Sequence, residues 1–274
     1  MHTNVNKGKL FIVSGPIGNL DDVTIRALKV LRKVDLIACE DTRVTSKLLN
    51  RYRINKRLIS YHEGNEKRRR KEILSYLLSG KNIVLMSDAG TPCISDPGEK
   101  LIDECIKEDI EIRVVPGPSS VISSLVISGI ASTPFLFIGF FPKKEKERER
   151  VVKKYFYLDT TIVFFESPYR VIGTLNYLVK KFPERRISLI KELTKIHEEI
   201  IRGTLREVYD FLKDKNIKGE WTVVLEGGEK EDWESDFELL LKLNFTKKDI
   251  LKFLTNKYKG IRNKVYKRLE LRDE

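Results

Sequence analysis

The sequence predicts an α/β protein with two α/β domains, at 8–117 and 118–228, and a small basic helical domain at 236–274. Between Lys9 and Pro116, short apolar runs alternate with amphipathic segments, the order expected of a mostly parallel sheet covered on both faces. Beyond Pro116, strand-like runs outnumber helical ones, which favours a second sheet of mixed direction. The end of the chain combines helical spacing with many basic residues.

The first domain is expected to contain five strands separated by helices. The predicted strands are Leu10–Ser14, Leu36–Glu40, Leu58–Tyr61, Asn82–Met86 and Glu111–Val115. Helices are expected at 23–33, at 66–78 and from Glu99 onward, because apolar residues recur there every three or four positions. Gly80 ends the second of them.

The second domain is expected to begin with a helix of small residues at 119–130. Its predicted strands are Phe135–Phe141, Thr161–Phe165, Ile187–Lys191, Glu199–Arg202 and Trp221–Leu225, and its further helices are 171–181 and 205–213. Charges of alternating sign at 143–150 indicate a solvated helix face or a mobile loop, with a flap that touches RNA as the alternative. An acidic linker is expected at 229–238, followed by two or three short helices.

The charge of the chain favours a polyanionic partner. The sequence has 52 Lys and Arg against 40 Asp and Glu, a net +12, and 242–274 alone contributes +7. RNA or DNA is preferred over a membrane surface, and a thermophile-like, charge-dense surface is the alternative. Because the chain shows neither an apolar run of about 18 residues nor an apolar signal core, a cytoplasmic protein without a membrane partner is expected.

The most informative motif is 87–98, which runs from Ser87-Asp88-Ala89-Gly90-Thr91-Pro92 to Gly98. It follows a predicted parallel strand and precedes a predicted helix, and open α/β sheets bind ligands at that edge. The loop therefore favours a small-molecule site over an ordinary connection. Gly15-Pro16-Ile17-Gly18-Asn19 has the position of a nucleotide-binding turn, but Pro16 removes an amide and the third glycine is missing, which argues against a pyrophosphate cradle. The sequence has no metal-binding motif.

A second motif, Cys39-Glu40-Asp41-Thr42-Arg43, leaves the predicted strand Leu36–Glu40 at the same edge of the sheet. Its acid, hydroxyl and guanidinium groups can orient a ribose or a phosphate. In the alternative interpretation, Asp41 caps a helix that begins near Thr45, and Arg43 forms a local salt bridge.

These two motifs, the turn at 15–20, Pro116-Gly117-Pro118-Ser119 and Phe165-Glu166-Ser167-Pro168-Tyr169-Arg170 occur in the order of one known family. Together they resemble the ribosomal RNA small-subunit methyltransferase I family, in the tetrapyrrole methylase superfamily, over nearly the whole chain. The resemblance implies S-adenosylmethionine in a cleft between the two α/β domains and 2′-O-methylation of a cytidine in 16S rRNA, in the decoding region. It also implies a homodimer whose partner is 16S rRNA or the small ribosomal subunit.

The resemblance assigns cofactor-binding positions by motif: Pro16, Ser87, Asp88, Ile94, Ser119, Ser120, Glu166 and Leu193. For two of them a structural role stays open, because Glu166 can cap the helix expected from Tyr169 and Leu193 can belong to the core. Asp41, Lys191 and Glu192 are the candidates for the catalytic base, and no spacing singles one out. Arg43, Lys257, Lys259 and Lys264 are the candidate RNA contacts.

Two other functions fit the same residues. One is a methylase of a tetrapyrrole or another small molecule, against which the basic tail argues because a small macrocycle needs no such charge. The other is a non-catalytic RNA-binding module with a vestigial pocket. The retained Asp88, Gly90 and Ser119 argue against that module.

Overall fold

A computed structural model describes residues 7–228, 233–258 and 261–270, with only the backbone of Ser235. Its first five strands are β1 (Leu10–Val13), β2 (Leu36–Cys39), β3 (Leu58–Ser60), β4 (Ile83–Met86) and β5 (Ile112–Val115). The helices among and after them are α1 (Ile25–Lys33), α2 (Thr42–Arg51), α3 (Glu66–Leu78), α4 (Glu99–Lys107) and α5 (Ser120–Ser128). A short 3₁₀ helix, Leu20–Asp22, precedes α1.

The five strands form one sheet in the order β3-β2-β4-β1-β5, and every neighbouring pair is parallel. Both faces of this sheet are covered. On one face Leu10 and Ile12 pack in a core with residues of α3 and α4, and on the other Val13 packs with residues of α1 and α2. All the strands therefore end in loops at the same edge, as the alternation of strands and helices predicts.

A second five-stranded sheet has the order β6-β7-β10-β8-β9. Its strands are β6 (Phe135–Phe140), β7 (Thr161–Glu166), β8 (Arg186–Lys191), β9 (Glu199–Thr204) and β10 (Trp221–Leu225), and its helices are α6 (Glu145–Tyr155), α7 (Val171–Val179) and α8 (Leu205–Leu212). Only β6 and β7 are parallel, so the sheet is mixed, as predicted. The fold class expected from the sequence is confirmed.

Three helices follow: α9 (Trp233–Lys242), α10 (Lys247–Lys257) and α11 (Arg262–Glu270). The described residues divide into two compact units, and both sheets belong to the first, which takes the residues up to Arg150 and Thr160–Glu226. The second unit takes Val151–Asp159 and the residues from Gly227 onward. The domain boundaries predicted near residues 117, 228 and 236 stay predictions.

The structure corrects the extent of two predicted segments and decides between the alternatives for a third. The expected acidic linker at 229–238 is partly helical, because α9 begins at Trp233 and Phe237 is buried in the core of the second unit. Of the alternatives for the charged run at 143–150, the structure shows the helix, because the residues from Glu145 onward belong to α6. The helix expected near Thr45 begins at Thr42, so Asp41 caps it directly.

No helix among the described residues combines the length and the apolar character needed to cross a membrane. The described residues likewise contain no cluster of three or more His, Cys, Asp and Glu side chains that could hold a metal ion.

Candidate active site

A cavity of about 460 Å³ lies at the loop edge of the first sheet and is closed by residues of the second. The first sheet contributes the loops after β1, β2, β4 and β5. The second contributes residues of β6, β7, β8 and β10 or of loops beside them. Ligand pockets of small molecules range from about 300 to 1,000 Å³, so this cavity is large enough for a ligand of nucleoside size.

The loop after β4 is fastened to the turn after β1. The Gly15 N–H donates to the Gly90 carbonyl at 2.9 Å, and the Ser14 and Thr91 hydroxyls lie 2.9 Å apart. Gly90 has a φ of +71°, a left-handed conformation that favours glycine. These contacts hold Asp88 in the cavity wall.

The loops after β2 and β4 meet at this edge. The Asp41 N–H donates to Oδ1 of Asp88 at 2.9 Å, so the carboxylate of Asp88 is fixed in orientation. Burial raises the pKa of Asp88, the Asp41 N–H opposes that shift, and the nearby Asp41 carboxylate adds to it. Asp88 thus offers an oriented, partly desolvated negative charge to a ligand.

Two further acids, Glu40 and Asp96, face the same space. Burial, together with the neighbouring Glu40 carboxylate, raises the pKa of Asp96 to about 6, although a hydrogen bond with Ser87 opposes this shift. Glu40 forms no ion pair with a described residue. Both residues lie within motifs quoted above, but the sequence alone did not single them out as site residues.

The ionisable residues that line the cavity are all acids, although Glu166 pairs with Arg170 and Glu220 with Lys195 outside the lining. Five carboxylate residues line it, and the described lining contains no Lys, Arg or His: Glu40, Asp88, Asp96, Glu166 and Glu220. In a chain of net charge +12, this concentration of acids is local to the site. It suits a ligand with ammonium or sulfonium charge, and it lacks the cations that hold a phosphate.

The second sheet lines the cavity with aromatic rings. Phe140 and Phe165 meet edge to face, with ring centroids 5.6 Å apart, and Trp221 lines the same wall. Aromatic faces attract cations as well as apolar groups. These three residues were also absent from the candidates, because the pattern of a buried strand does not show which ring ends at a cavity.

Ile94 and Leu193 both line the cavity, and each lies between two non-glycine residues with positive φ. Ile94 lies between Cys93 (φ 68°) and Ser95 (φ 71°). Leu193 lies between Glu192 (φ 50°) and Thr194 (φ 65°). Left-handed conformations at non-glycine residues are unfavourable and concentrate at functional sites. Both apolar side chains are therefore presented by strained loops, and Leu193 also packs against the buried core that contains Val121 and Ile190.

Glu166 lines the cavity, but its oxygens already have protein partners. Oε1 accepts the Ser167 N–H at 2.8 Å and pairs with Arg170 at 2.5 Å, and Oε2 accepts the Thr174 hydroxyl at 2.6 Å. Since α7 begins only at Val171, Glu166 does not cap a helix at Tyr169. Its contacts instead tie the end of β7 to the start of α7.

Of the remaining cofactor candidates, two line the cavity and two lie outside its lining. Ser119 and Ser120 line the cavity, and the Ser119 hydroxyl accepts the Ile122 N–H at the start of α5. Pro16 and Ser87 lie outside the lining. Ser87 donates to the Ala89 carbonyl at 3.1 Å and is almost fully buried, which makes it a support for the loop.

The three candidates for the catalytic base also lie outside the lining. Arg43 pairs with Asp41 at 2.5 Å and lowers the pKa of Asp41 to about 2, so this carboxylate is a weak base. Lys191 pairs with Glu199 at 3.1 Å. Glu192 pairs with Lys195 at 3.0 Å and has a lowered pKa because its hydrogen bonds and Lys195 outweigh its burial.

The candidate RNA contacts are distributed over both units. The side chain of Arg43 is 87% exposed beside the cavity-lining loop, although it pairs with Asp41. Lys257 pairs with Asp236, which also accepts the Tyr258 hydroxyl at 2.6 Å, so it stabilises the second unit. Lys264 is exposed on α11. Lys259 lies outside the described residues.

The parallel sheet and the mixed sheet that border this cavity belong to a methylase fold. The model of one family, Tetrapyrrole (Corrin/Porphyrin) Methylases, matches residues 9–209. The chain superimposes with a TM-score of 0.57 on uroporphyrin-III C-methyl transferase from Thermus thermophilus complexed with S-adenyl homocysteine, at 16% identity over 81% of this chain and 98% of that one. This likeness concerns the fold.

Relatives similar in sequence identify the family within the methylases more closely. The chain is 49% identical to "Ribosomal RNA small subunit methyltransferase I" of Thermotoga maritima over 81% of this chain and 100% of that protein. It is 41% identical to the protein of the same name from Halalkalibacterium halodurans over 90% and 89%. The chain belongs to the ribosomal RNA small subunit methyltransferase I family, within the tetrapyrrole methylases.

Proposed function

We propose that this protein transfers a methyl group from S-adenosylmethionine to the 2′-hydroxyl of a cytidine in 16S rRNA. The observation that carries the proposal is the acidic and aromatic cavity wall, which has no described cation, at the loop edge of a methylase fold. The names of the relatives support ribosomal RNA as the class of acceptor. The cytidine and its 2′-hydroxyl come from the family resemblance of the sequence motifs.

The residues of the cavity fit this cofactor. Asp88 and Glu40 would hold its ammonium group, and the rings of Phe140 and Phe165 suit a sulfonium. Ile94 and Leu193 would contact the adenine, with main-chain groups beside them at the adenine edge. When bound, S-adenosylmethionine supplies a methyl group on a positively charged sulfur, which is a good leaving group.

The protein then contributes position and exclusion of water. A cavity closed by two sheets can align a ribose hydroxyl with the methyl donor, and such alignment lowers the barrier without a covalent intermediate. The apolar surface of Phe165 and the buried Trp221 reduces the water beside the reacting groups.

The proton of the 2′-hydroxyl needs an acceptor, and Asp96 fits this role better than the three residues proposed from sequence. It lines the cavity, and its pKa of about 6 leaves its carboxylate ionised at neutral pH but more basic than an ordinary aspartate. A general base with a pKa near the working pH contributes about 10²–10⁴-fold. Asp41, Lys191 and Glu192 stay predictions, each engaged in an ion pair.

Titration calorimetry with S-adenosylmethionine tests the cofactor half of the proposal. Wild-type protein should bind it, and Asp88→Ala should lose measurable binding because the oriented carboxylate is gone. Asp103→Ala, which removes an exposed carboxylate on α4, is the matched control and should bind normally. Binding by Asp88→Ala at wild-type affinity would contradict the assignment.

Mapping of methylated riboses tests the acceptor half. Small-subunit RNA from cells that lack the protein should lack one 2′-O-methyl cytidine, and purified protein with S-adenosylmethionine should restore it. If the modification pattern is the same with and without the protein, 16S rRNA is not the acceptor, and a small-molecule substrate becomes the better proposal.

A further inference from the structure

The longest run of consecutive basic residues in the chain is Lys67–Lys71. It lies in the first turns of α3, which begins just after β3 at the same edge of the sheet as the cavity. Its side chains divide into two sets with different surroundings.

Two of the five cations have structural partners. Arg69 pairs with Glu72 at 2.7 Å, and Arg70 pairs with Glu104 on α4 at 2.8 Å; both side chains are largely buried. These pairs fix α3 against its neighbour. They account for Arg69 and Arg70 without a ligand.

The other three cations are exposed and share one helix face. Lys67 and Lys71 are four residues apart, and Arg68 and Lys71 are three apart, so their side chains are neighbours on the surface. None of the three pairs with a carboxylate in the part of the chain that the structure describes. Three unneutralised charges on one face repel each other by tenths of a kcal/mol per pair, so this face is not explained by stability.

The sheet order sets the distance between this face and the cavity. Strands follow one another as β3-β2-β4, and neighbouring strands lie about 4.8 Å apart, so the end of β3 is about 10 Å from the end of β4. The loop after β4 carries Asp88. Arg43, with an exposed side chain at the start of α2, follows β2, the strand between β3 and β4. The exposed cations of α3 therefore lie near the cavity, at the same edge of the sheet.

We infer that Lys67, Arg68 and Lys71 form a docking face for the phosphate backbone of the RNA substrate, next to the cavity that receives the reacting ribose. The inference rests on the proposed function for the identity of the polyanion. Charge complementarity supports it: phosphates are excluded by the acidic wall and attracted by the basic face. The RNA chain would therefore stay outside while one nucleoside enters.

Salt dependence of RNA binding gives a direct test. The probe is a fluorescein-labelled, single-stranded RNA of 16S sequence, titrated with full-length protein by fluorescence anisotropy at several KCl concentrations. For single strands, log K falls with log[salt] by about 0.7 per neutralised phosphate, so the triple variant K67A/R68A/K71A should have a slope smaller by about 2. Its affinity for S-adenosylmethionine should match that of the wild type.

A matched variant controls for loss of charge alone. Lys29, Lys33 and Lys81 are equally exposed, and Lys33 and Lys81 precede β2 and β4 at the opposite edge of the sheet. K29A/K33A/K81A should keep the wild-type slope. An unchanged slope in K67A/R68A/K71A, or an equal decrease in the control, would overturn the inference. A charge-reversed version of the α3 triple should weaken binding further.

The two proposals fail in different ways. If wild-type protein methylates the RNA and K67A/R68A/K71A does so with an unchanged KM and salt slope, the docking face is wrong and the function stands. If the α3 triple loses its slope but wild-type protein neither binds S-adenosylmethionine nor methylates RNA, the docking face stands and the proposed function is wrong.

Discussion

Gly18 offers a sensitive test of how the two sheets close the cavity. It lies in the turn after β1, whose Asn19 N–H donates to the Thr194 hydroxyl in the loop after β8 at 3.1 Å. A Cβ at Gly18 would lie 2.8 Å from the Leu193 carbonyl oxygen, 2.7 Å from the Thr194 hydroxyl and 2.6 Å from Cγ of Lys195. The lysine side chain can move easily, but the carbonyl belongs to a strained backbone.

The expected magnitude follows from these distances. Ordinary contact begins at 3.4 Å, so in Gly18→Ala the loop at Leu193 must retreat by about 0.6 Å. Overpacking of this kind costs about 1–3 kcal/mol, and each kcal/mol lowers Tm by about 2–4 °C in a chain near this size. Because Ile17 and Leu193 both line the cavity, we expect about tenfold weaker binding of S-adenosylmethionine.

Scanning calorimetry measures Tm, and titration calorimetry measures the affinity. Gly173→Ala is the matched control, because a Cβ there meets nothing within 4 Å and alanine suits the interior of α7. That change should stabilise the protein by about 0.5–1 kcal/mol and leave cofactor binding unchanged. If Gly18→Ala keeps both the Tm and the affinity of the wild type, the close approach at Leu193 does not shape the site.

Four further predictions concern single side chains. Asp96 has a raised pKa of about 6, so between its ordinary pKa and 6 the folded state binds its proton more tightly than the unfolded state. Stability therefore falls as pH rises through that window. Asp96→Asn should raise Tm at pH 7 but not at pH 4, and it should lower kcat. An equal Tm difference at both pH values would contradict this. Glu166→Ala leaves Arg170 without its buried partner and should cost about 3 kcal/mol by urea denaturation, whereas a loss under 1 kcal/mol would show that the pair is dispensable. Lys264→Glu should reduce the salt slope of RNA binding with Tm unchanged, and an unchanged slope would exclude Lys264 as an RNA contact. Lys257→Glu should lower Tm because it breaks the pair with Asp236.

Local pattern was sufficient to predict most of the fold. The bounds of α3 and β10 match the structure at both ends, because apolar spacing and a following glycine or a continuous apolar run define them. The error at α9 has a physical cause: the acidic residues around 229–238 suggest a linker, while Trp233 and Phe237 supply the apolar contacts that hold a helix.

The site was predictable by position but not by environment. The family resemblance assigned Asp88, Ile94 and Ser119 to the first sheet's loops and the helix after Pro118, and Leu193 to the second domain; all four line the cavity. The raised pKa of Asp96 depends on burial and on Glu40, which is distant in sequence. The aromatic wall depends on how the second sheet closes over the first. Neither is encoded in a local motif.

The uniform sign of the cavity wall has a consequence for selectivity inside a cell. ATP carries the same adenosine as the methyl donor and is far more abundant than most adenosine compounds, so shape alone would leave it a strong competitor. Its triphosphate would have to approach Asp88, Glu40 and Asp96 without a neutralising side chain from the described lining. The carboxylates therefore act as a filter by repulsion, and the site stays available for the rarer, positively charged molecule.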